Sequence, residues 1–174
     1  GVVAPNALGA ADFEKALKEG RSGIRFFEES QSLNFRCQIA GKPLITEDYK
    51  ARYFDDYYQN KLDNNAIIYA CLAGFEAWEN AGLTHHQDQI DFDSGMIIGS
   101  GALGLDGSNH AVFSKILAGN NKQLGSRAIP ESMSSGAAAY LNKILGLGNR
   151  ILSNSSACIT GTESVLLGYE HLKL

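Results

Sequence analysis

The chain has 174 residues, 44% of them hydrophobic and 20% charged, enough to bury a real core. A net charge of -4 and a sequence pI near 5.5 argue against a nucleic-acid partner, because no Lys/Arg cluster supplies the basic face that phosphate binding needs. The apolar runs are far shorter than a bilayer span, and the N-terminus lacks the charged-then-apolar layout of a secretory signal, which argues against membrane and export.

In chain order, Gly1-Val2-Val3-Ala4-Pro5-Asn6 opens on what reads as the end of a strand. Asp12 is placed to cap a helix through Phe13, Ala16 and Leu17 that stops at Gly20. Leu33, Phe35, Cys37 and Ile39 alternate with polar residues, the period of a half-buried strand or an extended arm. The aromatic and charged stretch 49–58 predicts a short helix lying over a surface or an interface. Residues 64–81 give the clearest helix: Ile67, Ile68, Cys71, Leu72, Phe75 and Trp78 recur at helical spacing, and Gly82 ends it. Residues 93–99 predict a buried strand breaking into a glycine-rich turn. A helix over 110–117 and a polar loop over 119–127 follow. Pro130 is placed to open a helix through Met133, Ala137, Tyr140 and Leu145 to Gly146. Residues 150–155 read as a short strand, and a final helix runs from Cys158 to Leu174. Strands separated by helices predict an α/β fold with mostly parallel strands. No repeat, low-complexity tract or linker divides the sequence, so 1–174 is expected to be one domain, with strands missing at both ends.

Two motifs bear on chemistry. Gly99-Ser100-Gly101-Ala102-Leu103-Gly104 matches G-x-G-x-x-G after a strand. A dinucleotide site needs a second strand ending in an acidic residue soon afterwards. The loop-like Gly119-Asn120-Asn121-Lys122-Gln123 occupies that place, so a packing turn is preferred and no cofactor is implied. In the second motif, a strand runs through Ser153-Asn154-Ser155-Ser156-Ala157 into Cys158 at the start of a helix. Unpaired N–H groups and the helix dipole favour a thiolate there, and the same N–H groups can hold an oxyanion. A buried cysteine packing the strand–helix junction fits these residues equally well. Cys37, Cys71 and Cys158 are an odd number with no metal spacing, which reads as reduced thiols in a cytoplasmic protein.

The stretch 129–168 resembles the nucleophile region of β-ketoacyl carrier-protein synthases of the KAS I/II type. The residues that carry the likeness are Ile129-Pro130, Gly146-Leu147, Ile151-Leu152 and Ser155-Ser156-Ala157-Cys158. Gly1-Val2-Val3-Ala4-Pro5-Asn6, the corner Gly20-Arg21-Ser22-Gly23-Ile24 and Ile98-Gly99-Ser100-Gly101 are similar to further family segments in the same order. The resemblance implies the N-terminal half of a thiolase-like fold, a mostly parallel or mixed sheet with helices on both faces. It implies that Cys158 is the acyl-accepting nucleophile, with its own N–H an oxyanion donor. Ala102 then lines the acyl tunnel, and Ile129 lines the partner subunit's tunnel across a dimer. Acyl carrier protein is the implied partner, delivering acyl and malonyl thioesters to a homodimer or a ketosynthase heterodimer. The strand over 151–155 would pair with its counterpart at the dimer interface.

The family's two decarboxylation histidines and its lysine lie in the second half. His85, His86, His110 and His171 are therefore read as structural or surface residues, and the fragment alone is not expected to condense. Asn149-Arg150, Glu163 and Leu166 depart from common family residues and favour a polyketide or polyene branch over a housekeeping enzyme. Glu163, five positions after Cys158, is read either as altering the pocket or as merely facing another subunit; the second is preferred because helix positions five apart point in different directions. Rival readings are a non-catalytic chain-length partner, a thiolase-like enzyme using coenzyme A thioesters, and an inert dimerisation module.

Overall fold

The computed structural model of the chain describes residues 1–62, 64–84, 89–103, 105 and 108–174. His85, His86, Gly104 and the side chain of His110 lie outside the described residues. The chain falls into two compact units, one of Gly1–Gln59 with Leu72–Leu83, the other of Asn60–Cys71 with Thr84–Leu174. Among the described residues, no helix is long and apolar enough to cross a membrane.

The first unit holds two short antiparallel hairpins, β1 (Val3–Ala4) with β2 (Ala7–Leu8), and β3 (Arg25–Phe26) with β4 (Ile39–Ala40). Between the two pairs lies α1 (Ala10–Lys18), and α2 (Glu28–Ser32) connects β3 to β4; α3 (Glu47–Ala51) and α4 (Asp56–Lys61) follow β4. The cap of α1 differs from the sequence expectation. Gly9 is the N-cap, and the orphan N–H of Ala10 donates to Glu76 Oε1 at 2.6 Å. Asp12 sits within the first turn and pairs with Arg21 at 3.1 Å. Residues 33–39 do not form a half-buried strand over their length: the segment turns at Asn34, with φ 58°, and pairing with β3 is confined to its end, where Phe27 N donates to Gln38 O and β4 begins. The aromatic stretch forms α3 and α4. Between them Tyr53 stacks on Phe75 with centroids 5.4 Å apart, while Phe54 meets Phe75 edge-on at 5.9 Å.

Helix α5 (Asn65–Asn80) gives its first turns to the second unit and the rest to the first. Its ends show why it was legible. Asn64 Oδ1 accepts from Ile67 N at 3.1 Å, an N-cap; at the far end Gly82 has φ 70°, Gly82 N donates to Glu79 O and Leu83 N to Trp78 O. Asn64 is fully buried and its amide also donates to Glu131 O at 2.7 Å. Asn64→Ala is therefore expected to cost about 2 kcal/mol, from a lost cap and an orphaned carbonyl, read as a lower urea midpoint at unchanged slope. Asn64→Asp keeps the cap acceptor but buries a carboxylate oxygen against the Glu131 carbonyl, and should lose at least as much.

In the second unit β5 (Met96–Gly99) and β6 (Ile151–Asn154) run parallel, Met96 opposite Ile151 and Gly99 opposite Asn154. Bonds from Asp91 N to Gly146 O and from Ser100 N to Asn154 O extend the ladder at both ends. After β5 come a π-helical segment Ser108–Phe113, α6 (Ser114–Leu117), a 3-10 turn Asn121–Gln123, α7 (Ala128–Ser132) and α8 (Gly136–Leu145). The single helix expected from Pro130 to Gly146 is broken at Met133, whose ψ is 146°. A Cβ on Gly136 would lie 2.3 Å from the Pro130 carbonyl oxygen, whereas six residues of continuous helix would separate the two positions by about 9 Å. Ile67, Ala137, Ala138, Leu141, Ile144 and Leu145 are buried and form this unit's core. A 3-10 turn Ala157–Ile159 then leads into α9 (Thr160–Lys173), which packs on β5 together with α8.

Candidate functional site

Cys158 lies in the turn that converts β6 into α9, so the final helix begins two residues later than expected. The turn is sharp because Ala157 has φ 50°, a left-handed conformation that costs an L-residue about 1–2 kcal/mol. Such strain persists only where the surroundings over-determine it, and it collects at functional sites. It carries the chain from the C-terminal end of a parallel strand directly into the first turn of a 14-residue helix. Cys158 is exposed there. Substitutions at 157 are expected to report the strain. Ala157→Gly should hold or raise stability by up to about 1 kcal/mol, while Ala157→Val should lower it by roughly 1–3 kcal/mol, both read from denaturant unfolding.

A hydrogen-bonded network fixes the turn. Ser156 N donates to Thr160 Oγ1 at 2.7 Å, and Thr160 Oγ1 donates to Ala157 O at 2.7 Å. Asn154 Nδ2 donates to Thr160 O at 3.2 Å and to Glu163 Oε2 at 2.8 Å, and Ser164 Oγ donates to Asn154 Oδ1 at 2.7 Å. The Ser156 hydroxyl donates to the same Glu163 oxygen. Glu163 therefore folds back onto the strand-to-helix turn, on the side of the first of the two readings the sequence left for it. Position five along the helix points away from Cys158, but its two-methylene stem reaches Ser156 and Asn154. Despite its T-x-x-E spacing, Thr160-Gly161-Thr162-Glu163 is not a capping box: the N-cap of α9 is Ile159, with no side-chain cap bond, so local spacing does not encode this contact. The Ser156 hydroxyl and the Asn154 amide hold the Glu163 carboxyl below the usual carboxylate range. A depressed folded pKa gives a contribution that is present above the ordinary carboxylate pKa and is lost as the pH falls through the lowered value. At neutral pH Glu163 is ionised.

Gly99 explains the glycine motif. A Cβ there would lie 2.3 Å from Thr160 Cγ2, 2.6 Å from Ser164 Oγ and 2.9 Å from Asn154 Oδ1. The bare backbone at the end of β5 is what lets α9 approach the sheet, and that is the packing turn preferred over a dinucleotide site. Ala102, in the bend three residues beyond Gly99, is exposed at the same end of the strand pair as Cys158, the end where α/β sheets bind ligands. Ile129 lies on α7 and is 65% exposed, with its carbonyl accepting from Ser132 Oγ at 2.9 Å. A cavity of about 460 Å³ lies at the other end, lined by Met96, Ile97, Arg150, Ser164, Gly168 and His171. It is built on the starts of the strands and the later turns of α9, and Cys158 does not line it. His171 stands in the last turn of α9 as expected, where a cation suits the helix dipole. Among the described residues, no group of three or more His, Cys, Asp or Glu side chains is placed to hold a metal ion. Cys71 is buried in apolar surroundings that push its thiol up to about 12, so it stays protonated; Cys37 is exposed, with its Sγ 3.5 Å from Ile39 O.

Comparison with known proteins shows the family. The whole chain, residues 1–174, matches the family model for the beta-ketoacyl synthase N-terminal domain. The 3-oxoacyl-[acyl-carrier-protein] synthase 2 of Vibrio harveyi is 28% identical over 165 residues, which cover 95% of this chain and 39% of that protein. The solved ishigamide ketosynthase/chain length factor superposes with a TM-score of 0.77 at 20% identity, covering 99% of this chain and 42% of that one. A type II PKS acyl-carrier protein in complex with its ketosynthase gives 0.74 at 20% identity over 98% of this chain and 40% of that one. The chain thus spans about two fifths of the length of its relatives. The fold is the expected one, the N-terminal half of a thiolase-like ketosynthase. This chain belongs to the beta-ketoacyl synthase family, as its N-terminal domain.

Proposed function

We propose that residues 1–174 are the first half of a 3-oxoacyl-[acyl-carrier-protein] synthase and that Cys158 is its acyl-accepting nucleophile. The observation that supports this most is the exposed Cys158 behind the strained Ala157 turn, at the N-terminal end of α9. The Cys158 thiolate attacks the carbonyl carbon of an acyl carrier-protein thioester. The developing oxyanion is held by backbone N–H groups at the turn, that of Cys158 among them. Collapse expels the carrier's thiolate, which takes up a proton, and leaves an acyl thioester on Cys158. Malonyl carrier protein then loses carbon dioxide, and the resulting enolate carbon attacks the acyl carbonyl. The 3-oxoacyl chain stays on the carrier and Cys158 leaves as thiolate. By the family resemblance, the groups that drive decarboxylation lie outside these residues, and this fragment alone does not condense.

The small side chain of Ala102 leaves volume beside the same strand ends, which favours a medium or long acyl chain; acceptance of acetyl alone would overturn that. Ile129 is assigned to the partner subunit's tunnel in a cytoplasmic homodimer or ketosynthase heterodimer. The carrier-protein complex among the solved neighbours supports acyl carrier protein as partner. The neighbour described as a ketosynthase/chain length factor keeps a non-catalytic partner role in play, and Cys158 speaks against it. The test is to incubate the full-length protein with an acyl carrier-protein thioester and follow intact mass. An acyl adduct that maps to the Cys158 peptide supports the enzyme. A folded protein that forms no adduct would indicate a chain-length partner or a binding module.

A further inference from the structure

We infer that Glu163 is a positioning residue for the nucleophile turn, acting through Ser156 and Asn154; this rests on Cys158 being the nucleophile. One carboxylate oxygen accepts from the Ser156 hydroxyl, two residues before Cys158, and from Asn154 Nδ2 at 2.8 Å at the end of β6. The same Asn154 amide donates to Thr160 O, and its carbonyl accepts from Ser164 Oγ, so the strand end and the turn share one acceptor on the helix, the Glu163 carboxylate, and the strand end is tied to the helix by two further bonds. That arrangement answers a physical need. Ala157 stands at φ 50°, and a left-handed alanine relaxes unless its neighbours on both sides are held. Thr160 holds the turn from the helix side through Ser156 N and Ala157 O. Glu163 holds it from the strand side. Oxyanion donors act only when fixed to a fraction of an ångström, and a displacement of about 1 Å costs on the order of 100-fold in rate. Alkylation of a thiol forms no oxyanion and does not share that requirement.

The full-length protein and its Glu163→Ala and Glu163→Gln variants separate the possibilities. A glutamine carbonyl oxygen can accept from both donors, whereas alanine accepts from neither. Glu163→Ala is expected to slow single-turnover acylation of Cys158 by about 10- to 100-fold. The half-saturating carrier concentration and the iodoacetamide rate at the Cys158 peptide should stay within about 3-fold, with the Cys37 peptide as internal reference. Glu163→Gln should restore acylation to within about 3-fold of the native rate. Backbone hydrogen exchange across 154–160 should rise in the alanine variant and not in the glutamine variant. Unchanged acylation in Glu163→Ala, or equal loss in both variants, overturns the inference. If Glu163→Ala does not fold, Ser156→Ala removes one donor alone and must show a smaller loss in the same direction; an unchanged rate there overturns it equally. A native protein that forms no adduct on Cys158 sinks the nucleophile reading instead, and the exchange data still report whether Glu163 fixes the turn.

Discussion

Cys158→Ala is expected to abolish acyl transfer from the carrier protein, by about 10⁴-fold or more, with a stability change within about 0.5 kcal/mol. The two halves of that expectation have one cause. Cys158 is exposed in the turn, so removing its sulfur opens no cavity; in the proposed function its thiolate is the attacking atom, so nothing remains to form the acyl thioester. The other two cysteines make the comparison specific. Cys37→Ala alters an exposed thiol with no comparable turn around it, and should leave both activity and stability in place. Cys71 is fully buried, so Cys71→Ala should lower stability by about 1–2 kcal/mol and leave the acylation rate per folded molecule unchanged. Intact mass and urea unfolding of the full-length variants check all three. Persistence of the acyl adduct in Cys158→Ala would falsify the nucleophile assignment.

What the sequence made legible were the features whose causes are local. Helix α5 was readable because Asn64 and Gly82 carry the chemistry of its two ends, and β5 because an apolar run meets a glycine turn. The break at Met133 was not readable, because it depends on the Pro130 carbonyl coming back against Gly136, a contact that helical periodicity over Ala137, Tyr140 and Leu145 does not encode. The alternation over 33–39 misled for a related reason. Leu33, Phe35 and Ile39 are all more than half exposed, so a period of two existed without a buried face to produce it. At the site, Cys158 was visible as a cysteine between a strand pattern and a helix pattern, and the family resemblance implied the role proposed for it. The network of Asn154, Thr160, Glu163 and Ser164 was not visible, since a strand end and two helical turns meet there only once the chain has folded.

Gly99→Ala is the second variant with a large expected effect, and it joins the glycine motif to the cysteine motif. The added Cβ would meet Thr160 Cγ2, Ser164 Oγ and Asn154 Oδ1, all closer than 3 Å, and all three residues belong to the network around the turn. Short side chains fixed in hydrogen bonds cannot swing aside, so α9 must move away from β5. Overpacking of that kind costs about 1–3 kcal/mol, and loss of the Asn154–Ser164 bond adds about 1 kcal/mol. Stability is therefore expected to fall by roughly 2–4 kcal/mol, with acylation of Cys158 slowed at least 10-fold in the molecules that remain folded. Gly101→Ala is the matched control, because a Cβ there meets nothing within 4 Å; its effect should stay within about 0.5 kcal/mol. A dinucleotide fingerprint makes the opposite demand, that both glycines matter for a bound pyrophosphate and neither for the cysteine. Equal damage from the two substitutions would mean that close packing of α9 on β5 is not what the glycines serve. Damage confined to Gly99 would place the strand-end glycine in the construction of the nucleophile turn.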